Sequence, residues 1–198
     1  MIVKRFIVGD YSTNTYLLIS GKDAILIDVG ENPIEVIEYI KAHEIKLKSI
    51  YATHGHFDHV LGVNQIKDYF NVPFYIHKND AELMKKDERT RNIGVDGYIK
   101  EGDIIELGDE EIRVIETPGH TLGSVCYLTN DSIFTGDTLF NNSIGRYDLG
   151  GDKELLKKSL KRLMQLEDGL IVYPGHGLIT VLGYEKLKNP FLNGEFDW

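Results

Sequence analysis

Cysteine is almost absent from this sequence, since Cys126 is the single one among 198 residues. An internal disulfide is therefore excluded, and so is a structural zinc site built from several thiolates. Cys126 lies in the apolar segment SVCYL, which predicts a small buried side chain rather than a nucleophile. Serine nucleophiles are not indicated either, because Ser124 and Ser143 lack the G-x-S-x-G turn of serine hydrolases.

Basic residues and long apolar runs are also scarce. The chain has 22 Lys and Arg against 31 Asp and Glu, a formal net charge of −9, and no run of basic residues longer than two. Attraction to a nucleic-acid backbone is therefore weak. No apolar run approaches the roughly 18 residues of a membrane span, and the start of the chain lacks the apolar core of a secretory signal. We expect a cytoplasmic protein that acts on a small molecule, with neither a membrane nor a nucleic acid as partner.

What the chain does contain is a mixture of strand and helix patterns along its whole length. With 42% hydrophobic residues, the chain is expected to fold as one domain spanning 1–198. Apolar periodicity predicts strands in both halves with helices at intervals, which favours two packed sheets flanked by helices. The predicted strands are 2–8, 15–19, 24–29, 47–52, 72–77, 103–107, 111–116, 124–128, 132–134 and 170–173.

The predicted helices begin at recognisable start signals. Asn32-Pro33 is interpreted as a cap followed by proline in the first turn, and Asn79 as the cap of a short helix ending at Lys86. Further helices are predicted over 60–70, 152–166 and 182–187. The polar segment 87–97 has no clear period and is predicted to be a loop, a candidate wall of a substrate site.

Histidine is concentrated in one short segment. THGHFDHVLG (53–62) contains His54, His56 and His59, three of the seven histidines, together with Asp58. Imidazole and carboxylate groups are the ligands that zinc and related divalent metals prefer. The segment follows the predicted strand LKSIYA, so these side chains are expected at a strand end.

Three further strand ends carry a His or an Asp. The tripeptide PGH presents His120 after IRVIET and His176 after GLIVY, and Asp137 follows SIFTG in the same way. Proline ends each strand at PGH, and glycine permits an unusual backbone angle beside it. If these ends share one edge of the sheets, seven ligands converge: His54, His56, Asp58, His59, His120, Asp137 and His176. At about three protein ligands per ion, this set divides into two metal sites. Asp137 is expected to bridge the two ions, because it stands alone on its turn.

Three residues are assigned other roles. His43 lies near the end of a predicted helix, where a cation complements the helix dipole. His77 has neither a glycine turn nor a ligand neighbour, so we expect a structural role. Asp28 ends the segment ILID beside the cluster; it could orient a ligand histidine, although a plain turn-forming role is equally open.

The ordered ligand pattern resembles the metallo-β-lactamase fold superfamily, over nearly the whole chain. Several segments are similar to the glyoxalase II-like hydrolases within it: VGDYSTNTYLL, IDVG, ETPGHTLGSVCY, FTGDTLF, IGRYDLGG, VYPGHG and EKLKNPFL. The resemblance implies a four-layer αββα sandwich with a dinuclear site on its edge. It also implies that His54, His56 and His120 hold one metal, that Asp58, His59 and His176 hold the other, and that Asp137 binds both.

The resemblance further implies a reaction. A hydroxide bridging two divalent ions would attack the carbonyl of a thioester, S-lactoylglutathione or a relative. Asp58 would orient the hydroxide, and Arg146 and Tyr147 of IGRYD could line the substrate pocket. Zinc is the first expectation for the metal, while iron(II) and manganese suit the same ligands.

Other functions stay open at this level. Glyoxalase II enzymes continue into a helical extension that grips glutathione, whereas this sequence ends at Trp198, so glutathione recognition is in question. A persulfide dioxygenase would need one iron, held most naturally by His54, His120 and Asp137. Hydrolysis of a lactone or a phosphodiester and a non-catalytic metal-binding role are further alternatives. Family members that degrade β-lactams usually carry a cysteine at the place of Asp58.

Overall fold

Two six-stranded sheets form the centre of the molecule. The computed structural model describes residues 1–196 and 198. In the first sheet the spatial order of the strands equals their chain order: β1 (Ile2–Val8), β2 (Thr13–Ser20), β3 (Asp23–Ile27), β4 (Lys46–Tyr51), β5 (Phe74–His77) and β6 (Gly97–Ile99).

The second sheet is formed by the later part of the chain and is interrupted by a short hairpin. Its first four strands are β7 (Ile104–Leu107), β8 (Glu110–Glu116), β9 (Val125–Leu128) and β10 (Ser132–Gly136). The hairpin pairs β11 (Leu139–Phe140) with β12 (Ser143–Ile144). The chain then returns to the sheet as β13 (Ile171–Pro174) and β14 (Thr180–Val181), giving the order β14-β13-β10-β9-β8-β7.

Helices cover the outer face of each sheet. They are α1 (Ile34–Ala42), α2 (Phe57–Val60), α3 (Val63–Phe70), α4 (Lys78–Met84), α5 (Lys153–Leu163) and α6 (Leu182–Lys188). The buried side chains of α1 to α4 pack on the first sheet, and those of α5 and α6 on the second. A third cluster lies between the sheets, where Tyr16 and Ile27 meet Tyr127 and Phe134. The layers therefore follow the order helix, sheet, sheet, helix, which confirms the predicted αββα sandwich.

Alternation along the strands explains this layering. On β3, Ile25 and Ile27 face the second sheet, while Ala24 and Leu26 face the helices. Both faces of the strand are therefore apolar, as expected for a sheet covered on both sides. Each fully buried Ile or Leu side chain contributes about 1.5–3 kcal/mol of hydrophobic stabilisation.

Strand direction brings the ends of several strands to one edge of the molecule. In the first sheet β3, β4, β5 and β6 are parallel. In the second, β8 and β10 are both antiparallel to β9, and β13 is parallel to β10. The carboxyl ends of β8, β10 and β13 consequently point the same way, and ligand sites form at such ends in α/β proteins.

Three predicted helix boundaries are wrong. The helix predicted over 60–70 is two helices, because the Gly62 N–H donates to the Val29 carbonyl at 3.1 Å instead of to the preceding helical turn. The helix predicted from Asn79 is capped by the His77 side chain, which accepts a hydrogen bond from the Asn79 N–H. Asn32 has a positive φ of 58° and makes no cap, so α1 begins after Pro33.

Short strands were missed where pairing, rather than pattern, defines them. The predicted loop 87–97 ends in β6, which pairs with β5, and β11, β12 and β14 were not predicted. Two or three residues carry too little periodicity to be recognised from sequence. The cap of α5 agrees with the predicted start, since the Asp152 carboxylate accepts the Leu155 N–H at 2.9 Å.

Among residues 1–196 and 198, we find no helix that combines the length and the apolar character needed to cross a membrane.

Candidate metal centre

The seven side chains singled out in the sequence lie together at the strand-end edge. His54, His56, Asp58 and His59 follow β4, while His120 follows β8, Asp137 follows β10 and His176 follows β13. Their nitrogen and oxygen atoms form three overlapping groups whose members all lie within 4.8 Å of one another. The groups are His54/His56/His120, His54/His59/Asp137 and Asp58/His59/His176. Their role as metal ligands stays a prediction.

The first group consists of three imidazoles. His56 Nδ1 lies 2.8 Å from His120 Nε2. The third member, His54, is 1% exposed, and its Nε2 atom has no hydrogen-bond partner. A buried nitrogen without a hydrogen-bond partner destabilises the fold unless a bound ion or molecule supplies the missing interaction.

Asp58/His59/His176, which we call the second donor group, combines two imidazoles with a carboxylate, and His54/His56/His120 is the first donor group. His59 Nε2 and His176 Nε2 are 3.2 Å apart, and Asp58 Oδ2 lies 3.1 Å from His176 Nε2. Burial by itself raises the pKa of Asp58, but the hydrogen bond from His176 and the charge of His59 outweigh burial and lower it. Asp58 therefore stays ionised at neutral pH.

Asp137 lies between the two groups. Its carboxylate oxygens are 3.5 Å from His120 Nε2 on one side and 3.4 Å from His59 Nε2 on the other. Burial alone raises the pKa of Asp137, but the neighbouring imidazoles of His59, His120 and His176 hold it well below the usual range. The permanently ionised carboxylate is thus positioned to be shared.

Asp28 orients one histidine in each group. Its Oδ2 atom lies 2.8 Å from His59 Nδ1 and accepts the hydroxyl hydrogen of Thr53 at 2.8 Å. Because that hydrogen goes to Asp28, Thr53 Oγ1 can only accept from His54 Nδ1, 3.1 Å away. Both Nδ1 atoms therefore carry a proton, and both Nε2 atoms face the cluster, as in metal sites held by carboxylate–histidine pairs.

Two further imidazoles are oriented by backbone carbonyl groups. His120 Nδ1 donates to the Arg146 carbonyl at 2.6 Å, and His176 Nδ1 to the Tyr11 carbonyl at 3.1 Å. A carbonyl can only accept, so Nε2 of each ring is free to act as a ligand.

Glycine is required where the backbone passes the cluster. A Cβ at Gly175 would lie 2.3 Å from Asp137 Oδ1 and 2.7 Å from His59 Cε1. Gly136 has a φ of +48°, and a Cβ there would lie 2.3 Å from Thr53 Oγ1. The glycines of the PGH and TGD turns thus permit the close approach of the strand ends.

Asp80 was missed by the sequence analysis. It is 1% exposed and accepts hydrogen bonds from the Gly55 N–H, the Gly123 N–H and the Thr121 hydroxyl. Burial raises the pKa of Asp80. Through these hydrogen bonds the Asp80 carboxylate connects the loop of His54 and His56 to the loop of His120. In the sequence, Asp80 was recognisable only as part of a predicted helix.

Asn14 and Asn189 were also missed as positioning residues, although both lie in segments that carried the family resemblance. The Asn14 side chain donates to the carbonyls of Pro174 and Gly177, on either side of His176. The Asn189 side chain donates to the Ser143 carbonyl at 3.0 Å and to buried Glu185 at 2.9 Å. Asn189 thereby anchors the hairpin that leads to the Arg146 carbonyl.

The side chains of Arg146 and Tyr147 do not contact the cluster. The Arg146 guanidinium is 67% exposed and pairs with Asp148 at 2.8 Å, so only its backbone carbonyl touches a cluster residue. Tyr147 stacks on Trp198, with ring centroids 6.3 Å apart. Their role in substrate binding stays a prediction.

The two histidines set aside have structural contacts. His43 Nδ1 lies 2.9 Å from the Tyr39 carbonyl at the end of α1, and its ring stacks on Tyr39. His77 caps α4 and lies 3.2 Å from Glu116 Oε1.

The donor set fits divalent metal ions. Among the described residues, three buried side-chain atoms lack a hydrogen-bond partner, and two of them, His54 Nε2 and Asp137 Oδ1, lie in the cluster. Imidazoles with one nitrogen oriented toward the ion and ionised carboxylates are the ligands of zinc, iron and manganese sites. The fold and the cluster together define an αββα protein with a His/Asp centre that can bind metal.

Comparison with known proteins agrees with this class. The family model of the metallo-β-lactamase superfamily matches residues 8–176. The chain belongs to the metallo-β-lactamase superfamily.

Three proteins similar to this chain are described in different terms. Hydroxyacylglutathione hydrolase GloC from Haemophilus influenzae is 34% identical, over 88% of this chain and 89% of GloC. The crystal structure of the B3 metallo-β-lactamase BLEG-1 is 33% identical, covers 98% of this chain and 100% of its own, and has a TM-score of 0.89. TTHA1623, solved in a di-iron-bound form, is 34% identical, covers 96% of this chain and 100% of its own, and has a TM-score of 0.87. The predicted fold and the resemblance to glyoxalase II-like hydrolases are confirmed.

Proposed function

We propose that the protein is a dinuclear metal hydrolase that cleaves acyl thioesters, S-lactoylglutathione or a related compound. The observation that carries the dinuclear part is the location of Asp137 between two donor groups. The thioester part is supported by the similarity to GloC, a hydroxyacylglutathione hydrolase.

Two metals have a natural division of ligands in this proposal. His54, His56 and His120 would hold one ion, Asp58, His59 and His176 the other, and Asp137 both. Bound divalent ions would lower the pKa of water and polarise a carbonyl oxygen as Lewis acids. Zinc is the first expectation, and the di-iron form of TTHA1623 makes iron the second.

The chain's own residues supply orientation and charge. Ionised Asp58 can accept a hydrogen bond from water at the rim of the cluster, which orients the oxygen lone pair toward the substrate carbonyl. Asp28 keeps His54 and His59 in the tautomer whose Nε2 faces inward. No covalent intermediate on a side chain is required, and Cys126 takes no part because it is buried outside the cluster.

A single-iron persulfide dioxygenase is the main rival. It would use His54, His120 and Asp137 to hold its iron, and it would leave Asp58, His59 and His176 without a metal ion. The proximity of these three side chains, whose donor atoms lie within 4.8 Å of one another, favours a second metal.

Metal analysis and a substrate panel test the proposal together. The protein is purified, its zinc, iron and manganese are counted per chain, and it is assayed with S-lactoylglutathione, an acyl-coenzyme A, an aryl lactone, a phosphodiester and a β-lactam. We expect two metals per chain and preferential thioester cleavage that continues without oxygen. Turnover of the phosphodiester alone, or oxygen consumption with glutathione persulfide at one iron per chain, would contradict the proposal.

A further inference from the structure

An arginine from the loop after α4 lies against an aromatic ring next to the candidate metal centre. The guanidinium carbon of Arg89 is 3.5 Å from the centroid of the Phe57 ring, and Phe57 immediately precedes Asp58. The Phe57 ring meets Tyr11 edge to face, with centroids 4.8 Å apart. The carbonyl of Tyr11 in turn accepts a hydrogen bond from His176. Tyr11, Phe57 and Arg89 form a wall beside the second donor group, which we call the rim wall.

The guanidinium of Arg89 is held in place from one edge. Its Nε donates to Asp87 Oδ1 at 3.0 Å and its Nη2 to Asp87 Oδ2 at 2.6 Å, while the Arg89 backbone N–H also donates to Asp87 at 2.9 Å. Stacking on Phe57 and this bidentate pair fix the side chain before any ligand arrives. Less conformational entropy is therefore lost when a ligand binds.

The other edge of the same guanidinium remains available. Both Nη1 hydrogens and the second Nη2 hydrogen make no hydrogen bond within residues 1–196 and 198, and the Arg89 side chain is 52% exposed. Parallel N–H groups of this kind match the two oxygens of a carboxylate or a phosphate. Lys86 and Glu88 line the same shallow surface depression as the Arg89–Asp87 pair, so they add one charge of each sign.

A solvated ion pair that merely closes the loop is the simpler explanation. Asp87 and Arg89 are two residues apart, and such exposed pairs contribute little to stability. The stacking on Phe57 is the feature this explanation leaves out, because it directs the guanidinium toward the metal-ligand loop. Neighbouring Arg91 shows the contrast, since its nearest carboxylate, on Glu88, lies 4.0 Å away.

We propose that Arg89 binds an oxyanion of the substrate's thiol portion, a carboxylate or a phosphate, and so sets the preference for negatively charged acyl thioesters. This inference rests on the proposed thioesterase function. The charge belongs to the thiol portion, because a lactoyl group is uncharged. Asp87 and Phe57 hold Arg89 in place, and Arg89 acts on substrate binding rather than on bond cleavage.

Three thioesters that share the same acyl group but differ in their thiol distinguish the possible anions. The lactoyl thioesters of glutathione, coenzyme A and N-acetylcysteamine present carboxylates, phosphates and no charge, respectively. Wild type, R89Q, R89K and the control R91Q are loaded with metal and compared. Because a charge-assisted bidentate contact is lost, we expect R89Q to lower kcat/KM about 10- to 100-fold for one or both charged substrates, through KM. For the neutral substrate, kcat/KM of R89Q is expected to stay within about twofold of wild type. R91Q is expected to stay within about twofold of wild type on all three substrates.

The variant R89K separates charge from geometry. Lysine keeps the charge but loses the planar fork and its stacking, so it is expected to recover only part of the loss. A loss with the glutathione thioester alone identifies the carboxylate, and a loss with the coenzyme A thioester alone identifies the phosphate. Equal losses on all three substrates, or none on any, would overturn the inference.

A binding measurement separates this inference from the proposed function. S-hexylglutathione and S-hexyl-coenzyme A are unreactive thioethers whose affinity for wild type and R89Q can be measured by calorimetry. If wild type hydrolyses no thioester, the proposed function fails, and a weaker affinity of R89Q still supports oxyanion binding by Arg89. Equal affinities of wild type and R89Q for both thioethers count against Arg89 whatever the enzyme hydrolyses.

Discussion

The carboxylate of Asp28 lies 2.8 Å from His59 Nδ1, and through Thr53 it also determines the orientation of His54. One buried acid therefore holds an imidazole of each donor group in the tautomer that a metal requires. Asp28 is 1% exposed and has a positive φ of 53°, so the backbone accepts an unfavourable conformation at this position.

Replacing Asp28 tests this relationship. In Asp28→Asn the amide can present an N–H where His59 or Thr53 needs an acceptor, which disturbs the tautomers of both ligand histidines. We expect metal affinity to fall about 10- to 100-fold, measured by competition with a chromogenic chelator. Asp23→Asn, at a half-exposed position at the start of β3, is the control and is expected to bind metal like wild type. Unaltered affinity in Asp28→Asn would show that the carboxylate is not needed for orientation.

Asp137 is expected to be required for both metals. Asp137→Ala removes the one carboxylate that lies between the two donor groups. We therefore expect the metal content to fall from two ions per chain toward zero, with loss of most activity. Metal analysis by mass spectrometry after desalting measures the outcome, and a thermal unfolding scan verifies folding. Exposed Asp109→Ala is the matched control. Two metals and full turnover in Asp137→Ala would refute the bridging role.

Gly175 tests how closely the strand ends approach each other. A methyl group at this position would lie 2.3 Å from Asp137 Oδ1, so Gly175→Ala must displace the carboxylate or its own turn. We expect weaker metal binding at both sites and a destabilisation of about 1–3 kcal/mol from overpacking, measured by denaturant unfolding. Gly169→Ala meets no atom within 4 Å and is expected to leave both properties unchanged. Normal metal binding in Gly175→Ala would mean that the turn can relax without cost.

Cys126 is expected to be inert in the folded protein. The thiol is fully buried, and burial raises its pKa to about 12 despite hydrogen bonds from Thr117 and Thr138. A thiol-reactive chromogen at pH 8 should therefore modify Cys126 only after denaturation. Rapid labelling of the native protein would contradict this prediction.

The same shift has a consequence for stability at alkaline pH. The unfolded thiol ionises near pH 9, while the folded thiol stays protonated until about pH 12. The contribution of Cys126 to the free energy of unfolding is therefore complete below pH 9 and is lost as the pH rises from 9 to 12. Cys126→Ala should reduce this part of the alkaline decline in denaturant titrations. An unchanged decline in the variant would assign it to other groups.

The positions of the candidate ligands could be predicted from sequence because each one marks a strand end. A buried apolar run followed by Pro-Gly-His or Thr-Gly-Asp combines strand, turn and ligand in one local pattern. His120, Asp137 and His176 were found in this way, and the structure brings them together. Local patterns failed where a contact with a distant segment sets the boundary, as at Gly62, whose N–H donates to the Val29 carbonyl between α2 and α3.

Apart from Asp28, whose orienting role was one of two predicted alternatives, the residues that hold the cluster in shape could not be predicted. Asp80 looks like any acid on a short helix, yet it accepts three hydrogen bonds from segments up to 43 residues away. Asn189 follows α6, and its side chain reaches the hairpin 46 residues earlier. A single sequence carries no periodicity for such contacts, because they depend on how the layers are packed.

By itself the sequence determined the alternation of strands and helices, the residue types of the centre and the strand ends that carry them. These properties follow from local chemistry, since hydrophobic period, turn residues and ligand type are each expressed within a few positions. The family resemblance implied how the seven side chains divide into groups, but only the tertiary structure decided that Nε2 faces inward in four of the imidazoles and that Arg89 lies on Phe57. Those properties depend on packing two sheets against each other, which brings together side chains more than 100 residues apart, such as His59 and His176.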